Sequence, residues 1–496
     1  MRIPVVDLFA GPGGLNEGFS RVVDAAGKRV FETVLSVEMD PVAHQTLELR
    51  ALFRRLQEDD KLASYARYVR GEITRSALVS QSAAAAAAAG REALCAQLGK
   101  SPSDDAAIED RIAHALKGHD DFLLIGGPPC QAYSLVGRAR RTQEERATFE
   151  SDPRQRLYRE YLRIVQKFKP AAFLMENVPG LLSARLGGVS TFAMICEDLQ
   201  AAGYDLHPVN SEASLLNGDA TDPRRFIVRA EEFNVPQSRA RVFILGLRSD
   251  LRLRPQRLTP PKEGKVSVGD VLSGLPEIRS KLSRASDDSS AWFDAVSDLG
   301  DYKLHTVDEG VRRIIRMELA TLDPKLPLGG RFIPGKAKPA RLTRWLSGVD
   351  LGGVANHNSR GHMAADLRRY FFWSAYSSIL DRSPSLREVP AYLRPDHENI
   401  KGDAVDVPFL DRFRVQVKTR PSTTVTSHIA KDGHYYIHYD ARQCRSLSVR
   451  EAARLQTFPD DYFFEGPVTD QYRQVGNAVP PYLAKQIGDI VAAVLT

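Results

Sequence analysis

Val5-Val6-Asp7-Leu8-Phe9 runs straight into Ala10-Gly11-Pro12-Gly13-Gly14, and apolar residues at helical spacing follow through Phe19. A short apolar run, a glycine loop and a helical pattern read as strand, turn, helix. The shape returns along the chain. Thr33-Val34-Leu35-Ser36-Val37 closes on Glu38, and Phe122-Leu123-Leu124-Ile125 closes on Gly126-Gly127-Pro128-Pro129-Cys130. A helical stretch from Leu157 to Phe168 precedes Ala171-Ala172-Phe173-Leu174-Met175, which closes on Glu176-Asn177-Val178-Pro179-Gly180; Val242–Leu247 is a fifth run. Strands alternating with helices predict an α/β fold built on a doubly wound, mostly parallel sheet. Ligands sit at the carboxyl ends of the strands in such sheets, and the polar or reactive punctuation of the first four runs falls there.

Composition narrows the class. The 496 residues are 43% hydrophobic and 26% charged, ordinary for a globular protein and unlike a disordered or collagen-like chain. No apolar run approaches the roughly 18 residues of a membrane helix. Met1-Arg2-Ile3-Pro4-Val5-Val6-Asp7 lacks the pattern of a secretory signal. Four cysteines with no Cys-x-x-Cys pair exclude a disulfide framework and predict a reducing, cytoplasmic location. A formal charge of +6 permits a nucleic-acid partner.

Two regions break the strand–helix rhythm. Residues 50–119 read as a helical insertion, with seven consecutive alanines from Ala83 to Ala89. Residues 251–265 are rich in proline and charge and read as a linker. The predicted organisation is a catalytic and ligand-binding domain over 1–250, a second domain of irregular pattern over 251–460, and a return segment over 461–496.

Each motif has an ordinary and a chemical reading. The loop after Phe9 is a tight turn or a place where backbone approaches a nucleotide-like ligand. It departs from the G-x-G-x-x-G pattern, but Glu38 stands where a ribose hydroxyl pair is bound in dinucleotide folds. Cys130 is a buried small side chain or a nucleophile; the rigid prolines before it, and Gln131, Ser134, Arg138, Arg140 and Arg141 after it, favour a thiol of lowered pKa. Glu176 is a cap or surface ion pair, or a partly desolvated carboxyl of raised pKa acting as an acid. Gln237, Arg239 and Arg241 are spaced to share one face of an extended segment, either solvated or binding a carboxylate, phosphate or base.

Taken in order, these motifs resemble the DNA cytosine-5 methyltransferases: Asp7–Gly14, Glu38, Gly127-Pro128-Pro129-Cys130-Gln131, Glu176-Asn177-Val178, Gln237-x-Arg239-x-Arg241, Arg450–Pro459 and Gln474-Val475-Gly476-Asn477-Ala478-Val479-Pro480. The resemblance covers roughly residues 1–247 and 420–496, and it implies a Rossmann-like methyltransferase sheet. It implies that Phe9, Gly11, Gly13, Gly14, Glu38, Met39, Pro128, Asn477 and Val479 bind S-adenosylmethionine, with Phe9 against the adenine. Gly71-Glu72-Ile73 is set against the family's Gly-Asp-Ile element, which reads the adenine amine, with Glu72 in place of the aspartate. Cys130 is implied as the nucleophile, Glu176 as the group holding cytosine N3 and its amine, and Arg241, with Arg239, as a base or phosphate contact in the catalytic set. Gln131, Ser134 and Gln237 are implied to touch double-stranded DNA.

In the middle region Arg331, Lys336, Lys338, Arg341 and Arg344 occur with no acid among them, flanked by Phe332 and Trp345. They read as a DNA-facing patch of a target-recognition domain or as a solvated basic surface. Asn356–His362 reads as a polar reader of DNA or as a structural loop. His434 and His438 sit in a segment that favours a strand, where i and i+4 lie about 13 Å apart, so no metal is expected. With the first motif at residue 5, no N-terminal regulatory module is expected. The family suggests a prokaryotic restriction–modification or defence role with a cognate endonuclease as partner. The rivals are a transfer-RNA cytosine-5 methyltransferase, a dinucleotide oxidoreductase and a DNA-binding regulator without catalysis.

Overall fold

The computed structural model describes residues 2–128, 156–186, 188–210, 222–284, 286–299, 304–305, 307–395 and 413–496. They fall into two compact units. The first holds residues up to Leu62, Val79–Gly264 and Ala478–Thr496; the second holds Ala63–Leu78 and Lys265–Asn477. These borders differ from those expected at 250 and 460, and part of the 50–119 stretch belongs to the second unit.

The first unit is built on β1 (Ile3–Leu8), α1 (Gly14–Phe19), β2 (Phe31–Glu38), α2 (Pro41–Glu58), β3 (Ala93–Cys95), β4 (Leu123–Gly126), β5 (Ala172–Asn177), β6 (Tyr204–Pro208), β7 (Ile227–Arg229) and β8 (Ala240–Arg248). The sheet runs β3-β2-β1-β4-β5-β8-β6, with β7 also on β8. The strands from β3 to β5 pair in parallel, while β8 is antiparallel to β5, β6 and β7. The order reverses between β1 and β4, the place where a doubly wound sheet opens a crevice.

The central strands are apolar on both faces because both faces are covered. Val5 packs with Leu15 and Phe19 of α1 and with Leu483, Ile487 and Val491 of the C-terminal helix Pro481–Leu495. Val6 and Leu8 point the other way, toward Ile108 and Ile112, Tyr161 and Ile164, and Ile195 and Leu199 of three further helices. Each such side chain contributes about 1.5–3 kcal/mol on burial.

The alanine run forms a helix, Ala83–Glu92, as its propensity predicts. The next three residues form β3, so the 50–119 stretch also supplies a strand of the sheet and is not a purely helical insertion. Three residues with no turn signal before them carry no readable period.

The second unit packs helices Ser289–Ser297, Glu309–Ala320 and Ala364–Leu380 around Trp292, Trp373, Phe371 and Phe372, beside an antiparallel strand pair, Gly330–Pro334 with Gly353–His357. His434–Tyr436 is a single 3-10 turn, not the expected strand. Among the described residues no cluster of His, Cys, Asp or Glu could hold a metal, and no helix is long and apolar enough to cross a membrane.

Candidate active site

At the end of β1, Phe9 takes a left-handed backbone conformation, φ 58°. For a residue with a Cβ this costs about 1–2 kcal/mol, and the neighbouring contacts hold it in place. The Ala10 N–H donates to the Val37 carbonyl of β2 at 3.1 Å, and the Gly11 N–H donates to Glu38 Oε2 at 2.7 Å. Gly11 and Gly13 carry the positive φ the turn needs. Gly14 meets a different demand: a Cβ there would lie 2.3 Å from the Val479 carbonyl oxygen, so this glycine seats the loop against the return segment.

Glu38 closes β2. Its other oxygen accepts the Asp40 N–H at 2.8 Å, and Asp40 in turn caps α2 through the Val42 and Ala43 N–H groups. Burial pushes the Glu38 carboxyl up, and the backbone N–H groups of Asp40, Gly11 and Met39 partly offset it. Each Glu38 oxygen keeps lone-pair capacity for a further donor. Met39 beside it is 58% exposed.

At the switch point, Glu176 of β5 accepts from Arg241 Nε at 2.9 Å. A Cβ on Gly127 would lie 3.0 Å from Glu176 Oε2, and Asn177 Nδ2 donates to the Pro128 carbonyl at 3.2 Å. The ends of β4 and β5 are thereby fastened together, two residues before Cys130. Cys130, Gln131 and Ser134 lie outside the described residues, as do Arg138, Arg140 and Arg141.

Three expectations change at this site. Gln237 and Arg239 do not share an open face with Arg241. Both are buried, because the segment before Ala240 turns inward instead of extending β8; Arg239 donates to the Ala478 carbonyl at 3.0 Å, and its backbone N–H donates to Glu231. Arg239 is thus tied to the return segment and Gln237 is buried, so neither side chain lies on the open face expected of it. Glu72 is exposed in a turn of the second unit, paired with Arg70 at 2.5 Å and Arg67 at 3.6 Å. The strand beside β2 ends instead at Cys95, in register with Glu38. Asn477 is exposed at the end of a second-unit helix, whereas Val479 is buried in the first unit.

The sequence reading missed Asp7. Its side chain is fully buried in β1, and neither carboxylate oxygen has a hydrogen-bond partner. It stood in the quoted motif without a role, and only the structure shows that nothing satisfies it.

In the second unit the basic residues divide. Arg331 donates to the Tyr68 and Val69 carbonyls and lies over the Tyr68 and Phe463 rings. Arg341 donates to the Lys265 carbonyl, 4.0 Å from Asp270. Lys336, Lys338 and Arg344 are exposed. Asn356 and His357 end the Gly353–His357 strand and are held internally: Asn356 exchanges two hydrogen bonds with the Phe464 backbone, and buried His357 bridges Ser448 and the Pro276 carbonyl. The Arg450–Pro459 motif is also internal. Arg450 donates to the carbonyls of Ala355, Pro459 and Tyr462, and Glu451 takes two bonds from Arg445 at 2.6 and 2.7 Å.

Comparison with known proteins agrees with this arrangement. Residues 92–492 match the model of the C-5 cytosine-specific DNA methylase family. The chain is 32% identical to the Type II methyltransferase M.Bpa9945I of Bacillus paralicheniformis, covering 99% of each chain. It is 29% identical to the DNA (cytosine-5-)-methyltransferase M.ApeKI of Aeropyrum pernix, over 77% of this chain and 83% of that one. An E. coli prophage-encoded DNA modification methyltransferase shares the fold, with TM-score 0.53 and 20% identity over 99% of each chain. The chain thus belongs to the C-5 cytosine-specific DNA methylase family and is a DNA (cytosine-5-)-methyltransferase.

Proposed function

We propose that the protein methylates C5 of a cytosine turned out of a specific double-stranded DNA sequence, using S-adenosylmethionine and a transient bond between Cys130 and cytosine C6. The observation that carries this reading is the hydrogen bond from Asn177, the residue after Glu176, to the Pro128 carbonyl, which keeps the Glu176 carboxyl beside the Gly127-Pro128 segment that leads into Cys130.

Cytosine C5 is a weak nucleophile within an aromatic ring. Addition of the Cys130 thiolate at C6 makes C5 enamine-like, and Glu176 at N3 favours that addition. Arg241 orients the Glu176 carboxylate. Once C5 carries the methyl group, loss of the C5 proton and departure of Cys130 restore the ring. Attack comes from the ring face, which stacking covers in a duplex, so the base must leave the helix.

The strand ends fit the cofactor. Glu38 retains acceptor capacity for a ribose hydroxyl pair, Met39 offers an apolar side chain beside it, and a Cβ on Gly11 would meet nothing within 4 Å, leaving the loop accessible. Phe9, Gly13 and Pro128 complete this set. When bound, the cofactor supplies an electrophilic methyl group. The second unit serves as the target-recognition domain, with Lys336, Lys338, Arg344 and the more engaged Arg341 on DNA phosphates. The Type II names of the relatives favour a restriction–modification role with a cognate endonuclease.

Incubation with methyl-tritiated cofactor and either duplex DNA or transfer RNA tests the substrate. Label enters DNA in this reading; label in transfer RNA alone overturns it, and no label in either supports a regulator without catalysis. Bisulfite sequencing of plasmid from expressing cells then gives the target site.

A further inference from the structure

The proline- and charge-rich stretch 251–265, expected to be a linker, belongs to the first unit as far as Gly264. It is strapped along the outer edge of the sheet. The Ser249 N–H donates to the Gly203 carbonyl at 2.9 Å, just before β6, and the Leu258 N–H donates to the Val209 carbonyl at 2.8 Å, just after it. Leu253 and buried Leu258 pack on the core, whereas Arg252, Arg254 and Arg257 are exposed.

β7 continues the same edge. β5 lies on one side of β8; β6 and β7 lie on the other, β6 at Ile244–Arg248 and β7 at Ala240–Val242. Exposed Arg229 of β7 stands opposite Ala240, next to the Arg241 that holds Glu176. Arginines therefore follow one edge from the far end of β8 to its catalytic end, a distance of about 27 Å. About eight base pairs of duplex cover that length.

The fold does not use these cations. Neither Arg229 nor Arg252, Arg254 or Arg257 has an ion pair or side-chain hydrogen bond with a described residue. Other arginines of this unit are spent: Arg2 and Arg29 on Glu58, Arg224 on Asp222, Arg248 on Asp250 and Asp121. The acids beside the strap are engaged too, Asp250 by Arg248 and Asp205 by the Ser249 hydroxyl. Arg254 and Arg257 lie close enough to His207 of β6 to disfavour its protonation. Charge on a sheet edge discourages pairing with other chains, but the strap already covers β6, so that role does not need a row of arginines.

We propose that this edge is a second, sequence-independent contact for the phosphates of duplex DNA, held by Arg229, Arg252, Arg254 and Arg257 outside the site of methyl transfer. The proposal rests on the reading of the Glu176–Arg241 end as the reacting end, since the row finishes beside Arg241 and one duplex can meet both. Guanidinium groups on phosphates add affinity without reading bases, which keeps the protein on DNA between target sites.

The test is fluorescence anisotropy of the full chain with a duplex of about 40 base pairs and arbitrary sequence, over a range of salt. Wild type is compared with the combined Arg229→Gln, Arg252→Gln, Arg254→Gln, Arg257→Gln variant. We expect the slope of log affinity against log salt to fall by about three to four, and binding at about 0.1 M salt to weaken at least about tenfold. The urea midpoint and kcat on saturating duplex should not change. The combined Arg229→Lys, Arg252→Lys, Arg254→Lys, Arg257→Lys variant should bind nearly as wild type, because a phosphate accepts a point charge. Single substitutions, each expected to lower the slope by about one, decide if the combined variant does not fold. An unchanged slope, a loss confined to transfer RNA, or a loss that the lysine variant does not recover overturns the proposal. So does a glutamine variant that dimerises while binding DNA as before, which would make the edge charge a guard against pairing. Wild-type binding to duplex without methyl transfer to it is a failure of the proposed reaction and leaves this comparison intact.

Discussion

In the second unit, Arg445, Glu451, Arg450 and Arg454 are buried side by side in sequence, and each is closed off by protein partners: Arg445 and Glu451 by one another, Arg450 by three carbonyls, Arg454 by Asp460 and the Val271 carbonyl. At the strand ends of the first unit, Glu38 keeps acceptor capacity, Asp7 has no partner, and Phe9 holds a strained backbone. Both regions carry strong sequence motifs. One uses its charge to define a fold, and the other leaves part of its polar capacity unmet. Satisfaction by protein partners, rather than motif strength, separates structural charge from charge kept for a ligand.

That contrast can be broken by substitution. Replacing Cys130 with alanine should cut methyl transfer at least about a thousandfold while leaving the urea midpoint in place; residual turnover near wild type would take Cys130 out of the reaction. Glu451→Gln should do the opposite. Removing one partner of a buried pair costs about 3–5 kcal/mol, so urea unfolding of the second unit should shift by that order; a change below about 1 kcal/mol would mean the hub is dispensable.

Glu176→Gln should lower kcat about a hundredfold with a modest effect on stability. An unchanged kcat would assign Glu176 to holding Arg241 in place.

Acid should affect the second unit through its histidines. Burial holds His357 and His438 down to about 4. The unfolded chain therefore binds protons near pH 6.5 that the folded unit refuses, and stability falls as pH drops from about 6.5 toward 4. By pH 5.5 each histidine accounts for a loss of about 1 kcal/mol. Burial alone would raise the Glu451 carboxyl, but Arg445 overrides it and holds it low, which adds loss at still lower pH. Urea midpoints at pH 7 and 5.5 check this; equal midpoints would contradict it. The smallest effect is expected on the surface. Neutralising Lys336, Lys338 or Arg344 should reduce the salt dependence of DNA binding by about one phosphate contact each, with no change in the unfolding midpoint.

Much of the first unit was legible because β1, β2, β4 and β5 are apolar runs closed by glycine, proline or polar residues. β3 was hidden by its three-residue length. Glu72 was chosen with β3 unseen: an acid after a glycine in the right order stood in for the next strand end. Gln237 and Arg239 were misread because their even spacing matches a strand, while the chain there buries both side chains before β8 begins. The second unit was least legible. Its basic cluster is one run in sequence, yet Arg331, itself exposed, lies over the Tyr68 and Phe463 rings, and Arg341 is half-buried against the Lys265 carbonyl, while Lys336, Lys338 and Arg344 are exposed. No period in the sequence announces such a division.

The central claim concerns the Cys130 sulfur. A duplex carrying 5-fluoro-2′-deoxycytidine in the target site cannot lose its C5 substituent as a proton, so the protein should stay attached to it in the presence of cofactor. The expected result is an adduct that survives denaturation, with the modified peptide mapping to Cys130 and no adduct from Cys130→Ala. Failure to trap any adduct with cofactor present and the methylated site known, or an adduct mapping to another residue, would contradict it.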